Sequence, residues 1–104
     1  MQADIEKKRD ALAALCRRFD VARLEVFGSA AHGTGFDGSH SDADFLVTFK
    51  DSARNDLALF TELKEALERL LDRPVDLVER EAVEASRNFI RRRTILREAE
   101  TIYG

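Results

Sequence analysis

Two aspartates stand one residue apart at the start of the most strand-like segment of the chain. Asp42 and Asp44 open the segment DADFLVTF, which predicts a β-strand over 42–49. Side chains at i and i+2 of a strand point to the same side, with their Cβ atoms about 7 Å apart. Two such carboxylates repel one another unless a cation neutralises them, and Mg²⁺ takes oxygen ligands of this kind together with substrate phosphates. The pair by itself is equally typical of a solvated strand end, so the metal hypothesis depends on further residues.

A third carboxylate, Asp76, is the second residue of the predicted strand over 75–79. If that strand lies beside the strand over 42–49, Asp42, Asp44 and Asp76 converge. Three converging aspartates are the ligand set of a two-metal site for phosphoryl or nucleotidyl transfer. Asp76 alone is more typical of a surface strand residue, so its assignment depends on the predicted adjacency of the strands.

A Gly-Ser pair could bind the phosphates of a substrate whose metal ions the aspartates hold. Gly28 and Ser29 follow the short strand predicted over 23–27. Glycine lets the backbone approach a ligand without a Cβ in the way. A strand that leads through Gly-Ser into a helical turn directs backbone N–H groups and the Ser29 hydroxyl at an anion. Ser29 is equally typical of a helix N-cap, and the two roles share one geometry. A triphosphate would lie between this turn and the aspartates.

Hydrophobic periodicity predicts the elements that position these groups. The predicted segments are helices over about 3–18, 57–72 and 86–102 and strands over 23–27, 42–49 and 75–79. The order implies an α/β (α+β) fold of two layers, in which helices pack against a small mixed β-sheet. Both faces of the strand over 42–49 are apolar, which predicts a central position in the sheet. In the last helix one face is predicted to hold Phe89, Leu96, Ala99 and Tyr103.

Composition excludes several classes of protein. The chain has 104 residues, 44% of them hydrophobic and 36% charged, which predicts a single globular domain over 1–104. No apolar run is long enough for a membrane span, and the charged first 20 residues do not resemble a signal peptide. The single cysteine, Cys16, cannot form an internal disulfide, so a cytoplasmic protein is expected. The formal charge of −3 argues against a non-specific nucleic-acid binder.

The motifs together match a known family. The sequence has GSAAHG at 28–33, SDADFLV at 41–47 and VDLV at 75–78. This combination resembles the minimal nucleotidyltransferases (MNT proteins) of the polymerase-β superfamily. Members of that family have a Gly-Ser turn, usually followed by Ala-Arg-Gly, then an Asp-x-Asp and a lone Asp on a neighbouring strand. The resemblance covers about residues 24–79, and the tail over 90–103 resembles the C-terminal helix of the family.

The resemblance implies a specific activity. Small proteins of this family are typically antitoxins of all-helical toxins of the HEPN ribonuclease class, and they use ATP and Mg²⁺ to place AMP on a tyrosine of that partner. By this resemblance Asp42 and Asp44 would bridge two Mg²⁺ ions, and Asp76 would complete the site that activates the attacking hydroxyl. Gly28 and Ser29 would hold the β- and γ-phosphates of ATP.

Two differences from the family pattern leave alternatives open. His32, the third candidate for contact with the nucleotide, stands where the family usually has arginine, and the loop is longer by residues 36–40. A neutral imidazole attracts phosphate less than a guanidinium does. One alternative is therefore an antitoxin that neutralises its partner by contact alone; another is an enzyme whose acceptor is a small molecule or an RNA end. The arginines over 91–93 form a solvated helix face, a docking surface for an acidic partner or a phosphate clamp. Homo-oligomer and hetero-oligomer also stay open.

Overall fold

The architecture is a mixed β-sheet with helices packed against it. The computed structural model describes residues 3–28 and 43–104. The helices of these residues are α1 (Ala3–Lys7), α2 (Arg9–Arg18), α3 (Leu57–Leu71), α4 (Arg80–Glu84) and α5 (Phe89–Glu98). The strands are β1 (Val21–Phe27), β2 (Ala43–Phe49), β3 (Val75–Glu79) and β4 (Glu100–Tyr103), and a turn of 3-10 helix spans Asp51–Ala53. The predicted fold class is confirmed.

The four strands of the described residues form one sheet in the order β3-β2-β1-β4. Strand β2 runs parallel to β3, whereas β1 is antiparallel to both of its neighbours, β2 and β4. The inner position predicted for the segment 42–49 is confirmed, because β2 has a partner on each side. This topology brings the start of β2, the start of β3 and the end of β1 to one edge of the sheet.

Apolar side chains cover both faces of the sheet. On one face Ala43, Phe45 and Val47 of β2 are buried in the larger core, to which α1, α2 and α3 contribute. On the other face Leu46 packs in a smaller core that includes residues of α4 and α5. The buried members of this smaller core are Phe27, Leu46, Val83 and Ile95. Period-two alternation therefore places Asp44 on the same face as Leu46 and the smaller core.

The N-terminal segment differs from the single helix predicted over 3–18. The helix is interrupted at Lys8, whose backbone N–H donates to the carbonyl of Ile5 at 3.1 Å, three residues back. Its side-chain Nζ donates to the carbonyl oxygen of Leu70 at 2.8 Å, at the end of α3. Because Lys8 bridges to another helix, a long-range contact accompanies the break, and periodicity along the sequence could not reveal it.

The prediction of one helix over 86–102 is wrong. The segment before it contains the short helix α4, and α5 ends at Glu98. Residues Glu100–Tyr103 then form β4, which pairs with β1. The predicted shared face is also wrong, because Phe89 is 59% exposed and Tyr103 belongs to the strand. The sequence Thr-Ile-Tyr favours a strand. By pairing with β1, strand β4 satisfies backbone N–H and C=O groups on the side of β1 that β2 does not cover.

Smaller differences concern the element ends. The strand predicted to begin at residue 23 begins at Val21, and α3 ends at Leu71, one residue before the predicted end. Asp72 follows in the left-handed conformation as the C-cap of α3. The strand over 75–79 has its predicted bounds. None of the helices in the described residues is long and apolar enough to span a membrane.

Cys16 is buried in the larger core and is expected to be chemically inert. Burial raises the pKa of the Cys16 thiol to about 11, and the charge of Arg17 opposes this only in part. At pH 8 about one thiol in a thousand is then ionised, and the thiolate is the reactive form. We expect a small thiol reagent to modify the native protein at least about 100-fold more slowly than the urea-unfolded chain. Equal rates in a chain shown by circular dichroism to be folded would contradict this burial.

Candidate active site

Asp44 and Asp76 lie opposite one another on neighbouring parallel strands. The register of β2 and β3 pairs Asp44 with Asp76, and neighbouring strands are about 4.8 Å apart. Residues paired across a sheet present their side chains to the same face, so the two carboxylates share one face. Asp76 is exposed and Asp44 is partly buried. The strand adjacency on which the assignment of Asp76 depended is therefore present.

Gly28 brings the end of β1 against the Asp44 carboxylate. Phe27, the last residue of β1, pairs with Asp44, and Gly28 follows with a φ of +69°. A Cβ on Gly28 would lie 2.7 Å from Oδ2 of Asp44, which is closer than such atoms can approach. Glycine suits this position for two reasons: the left-handed backbone strains most other residues, and an added Cβ would displace the Asp44 carboxylate. The Gly28 turn and the two aspartates thus meet at one edge of the sheet.

Two hydrogen bonds hold the strand starts in register at this edge. The backbone N–H of Ala43, the residue before Asp44, donates at 3.0 Å to the carbonyl oxygen of Pro74, two residues before Asp76. The backbone N–H of Val75 donates to Oε2 of Glu68 on α3 at 3.1 Å. That bond, followed by the nearby Lys64 ammonium, lowers the pKa of Glu68. The side chain of Glu68 therefore anchors the start of β3, and with it Asp76, to helix α3.

The remaining predicted site residues lie outside the described part of the chain. Asp42, Ser29 and His32 all fall between residues 28 and 43, so the structure does not test their positions. Within residues 3–28 and 43–104, no group of three or more His, Cys, Asp or Glu side chains could hold a metal ion. The two described aspartates nevertheless fit a divalent cation, because carboxylate oxygens in register on one face are the ligands that Mg²⁺ prefers. A third carboxylate at residue 42 would precede β2 directly.

A buried ion pair lies on the same face, and the sequence analysis missed it. Glu25 of β1 is 2% exposed, and both of its carboxylate oxygens lie 2.6 Å from Nη1 of Arg80, the first residue of α4. Arg23 adds a weaker contact at 3.5 Å to Oε1 of Glu25. The hydrogen bonds to Glu25 raise the pKa of Arg80, so this cation stays charged. Alternation along β1 places Glu25 on the face of Phe27, which was the available signal for an acid on the covered face.

Comparison with known proteins gives one family. Residues 8–99 match the family described as a nucleotidyltransferase domain. A solved structure described as a candidate minimal nucleotidyltransferase is 35% identical in sequence, with 96% of this chain and 95% of that chain covered and a TM-score of 0.73. Among curated proteins no sequence matches the chain.

More distant solved structures share the fold. One such structure is described as the tri-AMPylated HEPN toxin of Shewanella oneidensis in complex with an MNT antitoxin. A chain of this complex matches at 20% identity, over 95% of this chain and 71% of that chain, with a TM-score of 0.64. A toxin–antitoxin structure with AMP-PNP matches at 24% identity, over 92% of this chain and 73% of that chain, with a TM-score of 0.61. At these identities the likeness shows the fold.

Proposed function

Because the chain belongs to the nucleotidyltransferase domain family, we propose that it transfers the AMP group of ATP to a hydroxyl of a partner protein. The proposed acceptor is a tyrosine of a HEPN-type ribonuclease toxin, which the modification silences, so the chain acts as the antitoxin. The proposal places the protein in the cytoplasm, where ATP is available. A purely contact-based antitoxin is the alternative that the experiments below separate from it.

The observation that carries the proposal is the arrangement of Asp44, Asp76 and Gly28. Two carboxylates in register on one sheet face lie beside a glycine turn whose missing Cβ leaves room for one of them. Nothing in the packing of the fold requires an exposed acid at position 76 beside a second acid. Carboxylate oxygens placed side by side in this way are the ligands that Mg²⁺ takes in proteins together with substrate phosphates.

The roles that we propose for the residues follow from this arrangement. Asp42 and Asp44 would together hold two Mg²⁺ ions, and Asp76 would complete the ligand set on the side of the acceptor. When bound, Mg²⁺ lowers the pKa of the attacking hydroxyl and neutralises the charge that develops on the phosphates. The backbone at Gly28, the Ser29 hydroxyl and the His32 imidazole would contact the β- and γ-phosphates and hold the triphosphate in one orientation.

The reaction is a displacement at the α-phosphorus of ATP. A bond forms between the acceptor oxygen and the α-phosphorus, and the bond from that phosphorus to the bridging oxygen breaks, which releases pyrophosphate and the hydroxyl proton. The chain contributes orientation: it fixes the triphosphate against the sheet edge and leaves the exposed Asp76 side open to the acceptor.

Similarity to toxin–antitoxin complexes supports the choice of acceptor. One solved relative by fold is an MNT antitoxin in complex with a HEPN toxin that carries three AMP groups, and another toxin–antitoxin structure contains AMP-PNP. These descriptions concern those proteins, and they provide the class of partner that we propose here.

A label-transfer experiment tests the proposed reaction. The chain would be incubated with Mg²⁺ and a purified HEPN-family protein from the same genome, with ATP labelled either at the α-phosphate or at the γ-phosphate. We expect the α-label alone to appear on the partner, because AMP is transferred and pyrophosphate leaves. A γ-label on the partner would show phosphoryl transfer, and label on added RNA or on a small molecule instead of the partner would overturn the choice of acceptor.

Gly28→Ala is expected to affect both stability and transfer. The left-handed φ of +69° costs an alanine about 1 kcal/mol, so the free energy of unfolding falls by about that amount. The new Cβ also displaces the Asp44 carboxylate, and transfer should fall at least about tenfold. Denaturant unfolding and label transfer measure the two effects.

The variant Gly28→Asn separates the effect of backbone strain at residue 28 from the displacement of the Asp44 carboxylate. Asparagine tolerates the left-handed region, so we expect this variant to recover stability relative to Gly28→Ala. It still carries a Cβ, so its transfer activity should stay low. Parental activity in Gly28→Asn would show that the approach of Gly28 to Asp44 does not matter for the reaction.

A further inference from the structure

Helix α5 exposes two large apolar side chains in its first turn. Ile95 is buried in the smaller core, and Leu96 and Ala99 pack beside it. Phe89 and Ile90, in the first turn of the helix, are 59% and 68% exposed. Among the described residues, the only other large hydrophobic side chain that is exposed is Leu57. An exposed apolar pair that the fold does not bury is typical of a surface that contacts another molecule.

Arginines surround this apolar pair. Arg93 and Arg97 follow Ile90 at spacings of three and seven residues, which places all three on one side of the helix. We define the α5 surface as Phe89, Ile90, Arg93, Thr94 and Arg97, which line a concavity of about 510 Å³. Within the part of the chain that the structure describes, neither Arg93 nor Arg97 forms an ion pair.

The neighbouring arginine has a different role. Arg92 points back toward α4, where its Nη1 donates to the carbonyl oxygen of Ser86 at 2.9 Å. Arg92 therefore helps to hold α5 against α4, whereas Arg93 and Arg97 make no comparable bond among the described residues. The segment 87–97 has five arginines and no acid in a chain whose formal charge is −3. Glu98 and Glu100 follow this segment and also line the concavity, so the excess of positive charge lies along the helix before them. That part of the surface is complementary to an acidic partner.

The α5 surface continues to the edge of the sheet that carries the aspartates. Ala99 and Glu100 line the same concavity, and Glu100 pairs with Val26 of β1. Gly28 lies two residues beyond Val26, at the edge where Asp44 and Asp76 meet. A protein bound to the α5 surface would therefore lie beside the proposed site of transfer.

We propose that the α5 surface docks the acceptor protein, through an acidic patch on that protein that also contacts Phe89 and Ile90. This inference rests on the proposed function for the identity of the acceptor. Arginines at the margin of an interface steer an acidic partner and set orientation, and the apolar pair supplies area that is removed from water. Docking would raise the local concentration of the acceptor hydroxyl at the aspartates.

Binding measurements on charge-reversed variants test the docking surface. The probe is the same HEPN-family protein as in the label-transfer experiment, titrated by calorimetry into the chain without ATP. We expect Arg93→Glu/Arg97→Glu and, separately, Ile90→Asp each to weaken binding at least about tenfold. The KM for the partner in AMP transfer should rise by a similar factor. Added salt should weaken binding by the parental chain more than binding by the double variant.

Matched controls place equal changes on the opposite side of the sheet. Arg17→Glu/Arg69→Glu makes the same charge change on exposed positions of α2 and α3, and Leu57→Asp matches Ile90→Asp at a position that is 79% exposed. These controls should bind as the parental chain does, and circular dichroism should show that all variants are folded. Equal weakening by the controls would overturn the assignment of the docking surface to α5.

Three further outcomes distinguish this inference from the proposed function. If the α5 variants bind the partner and modify it with an unchanged KM, the docking surface is overturned while the transferase stands. If they lose affinity for Mg²⁺ and ATP in the absence of partner, the arginines belong to the nucleotide site, and the inference is likewise overturned. If the parental chain binds the partner through α5 but transfers no AMP, the docking surface stands and the proposed function fails.

Discussion

Replacing Asp44 with asparagine is expected to lower the rate of AMP transfer by at least about 100-fold. Asparagine keeps the size of the side chain and removes its negative charge, so the fold should persist while the affinity for Mg²⁺ falls. Even residues that only support a metal ligand cost 10- to 100-fold when they are changed, as an order of magnitude. A residue that itself contacts the ion should cost at least as much. Initial rates of label transfer at saturating ATP measure the effect.

The same substitution at two further positions shows whether the effect is specific. Asp76→Asn should give a comparable loss, because Asp76 lies opposite Asp44 in the sheet register. Asp10→Asn changes an exposed acid on α2 and should leave the rate unchanged. Excess Mg²⁺ should recover part of the activity of the two site variants and none in a chain whose fold is damaged. Parental activity in Asp44→Asn would contradict the proposed role of this carboxylate.

The second large effect concerns stability. Arg80→Met is expected to lower the free energy of unfolding by about 3 kcal/mol, because it leaves the Glu25 carboxylate buried without its main partner. Only 3% of the Glu25 side chain is exposed, so water cannot replace the guanidinium. Arg23, at 3.5 Å from Glu25, retains a weak contact that holds the loss to the lower end of the usual range. Urea unfolding, followed by circular dichroism, measures the difference.

Removal of both charges should restore most of that stability. In Glu25→Leu/Arg80→Met neither charge of this pair is left buried. An apolar pair of similar volume is often as stable as the ion pair that it replaces. We expect the double variant to be more stable than Arg80→Met alone. If the double variant were less stable than Arg80→Met, the loss would come from the packing of the Arg80 stem and not from the isolated carboxylate.

Local sequence patterns predicted the strands and the helix in which apolar residues recur regularly along the chain. Strand β2 has apolar residues on both faces, and this pattern indicated both the strand and its inner position in the sheet. Strand β3 begins directly after Pro74. The preceding helix α3 has a regular apolar stripe and ends at Leu71, because the residue before a proline disfavours the helical conformation. Asp44 and Asp76 lie in these two strands, but the local patterns left the adjacency of the strands as a condition, and only the family resemblance implied it.

Features that depend on distant partners were not predictable in the same way. Strand β4 is short and follows directly after a helix, and its pairing with β1 decides its conformation. The break at Lys8 is accompanied by a hydrogen bond to Leu70, 62 residues away. The Glu25–Arg80 pair joins residues 55 apart, and a strand pattern shows only that Glu25 shares a face with Phe27. The contact of Gly28 with Asp44 similarly requires the pairing of β1 with β2.

The mass of the partner protein after reaction tests the central proposal most directly. The HEPN-family protein would be incubated with the chain, ATP and Mg²⁺, and its intact mass and modified residue would be determined by mass spectrometry. The account predicts mass increments of whole AMP groups on tyrosine, which are absent when Asp44→Asn replaces the parental chain. The contrary result is a partner that stays unmodified, forms a stable complex with the folded chain and is no longer toxic. That result would contradict the transferase and support an antitoxin that acts by contact alone.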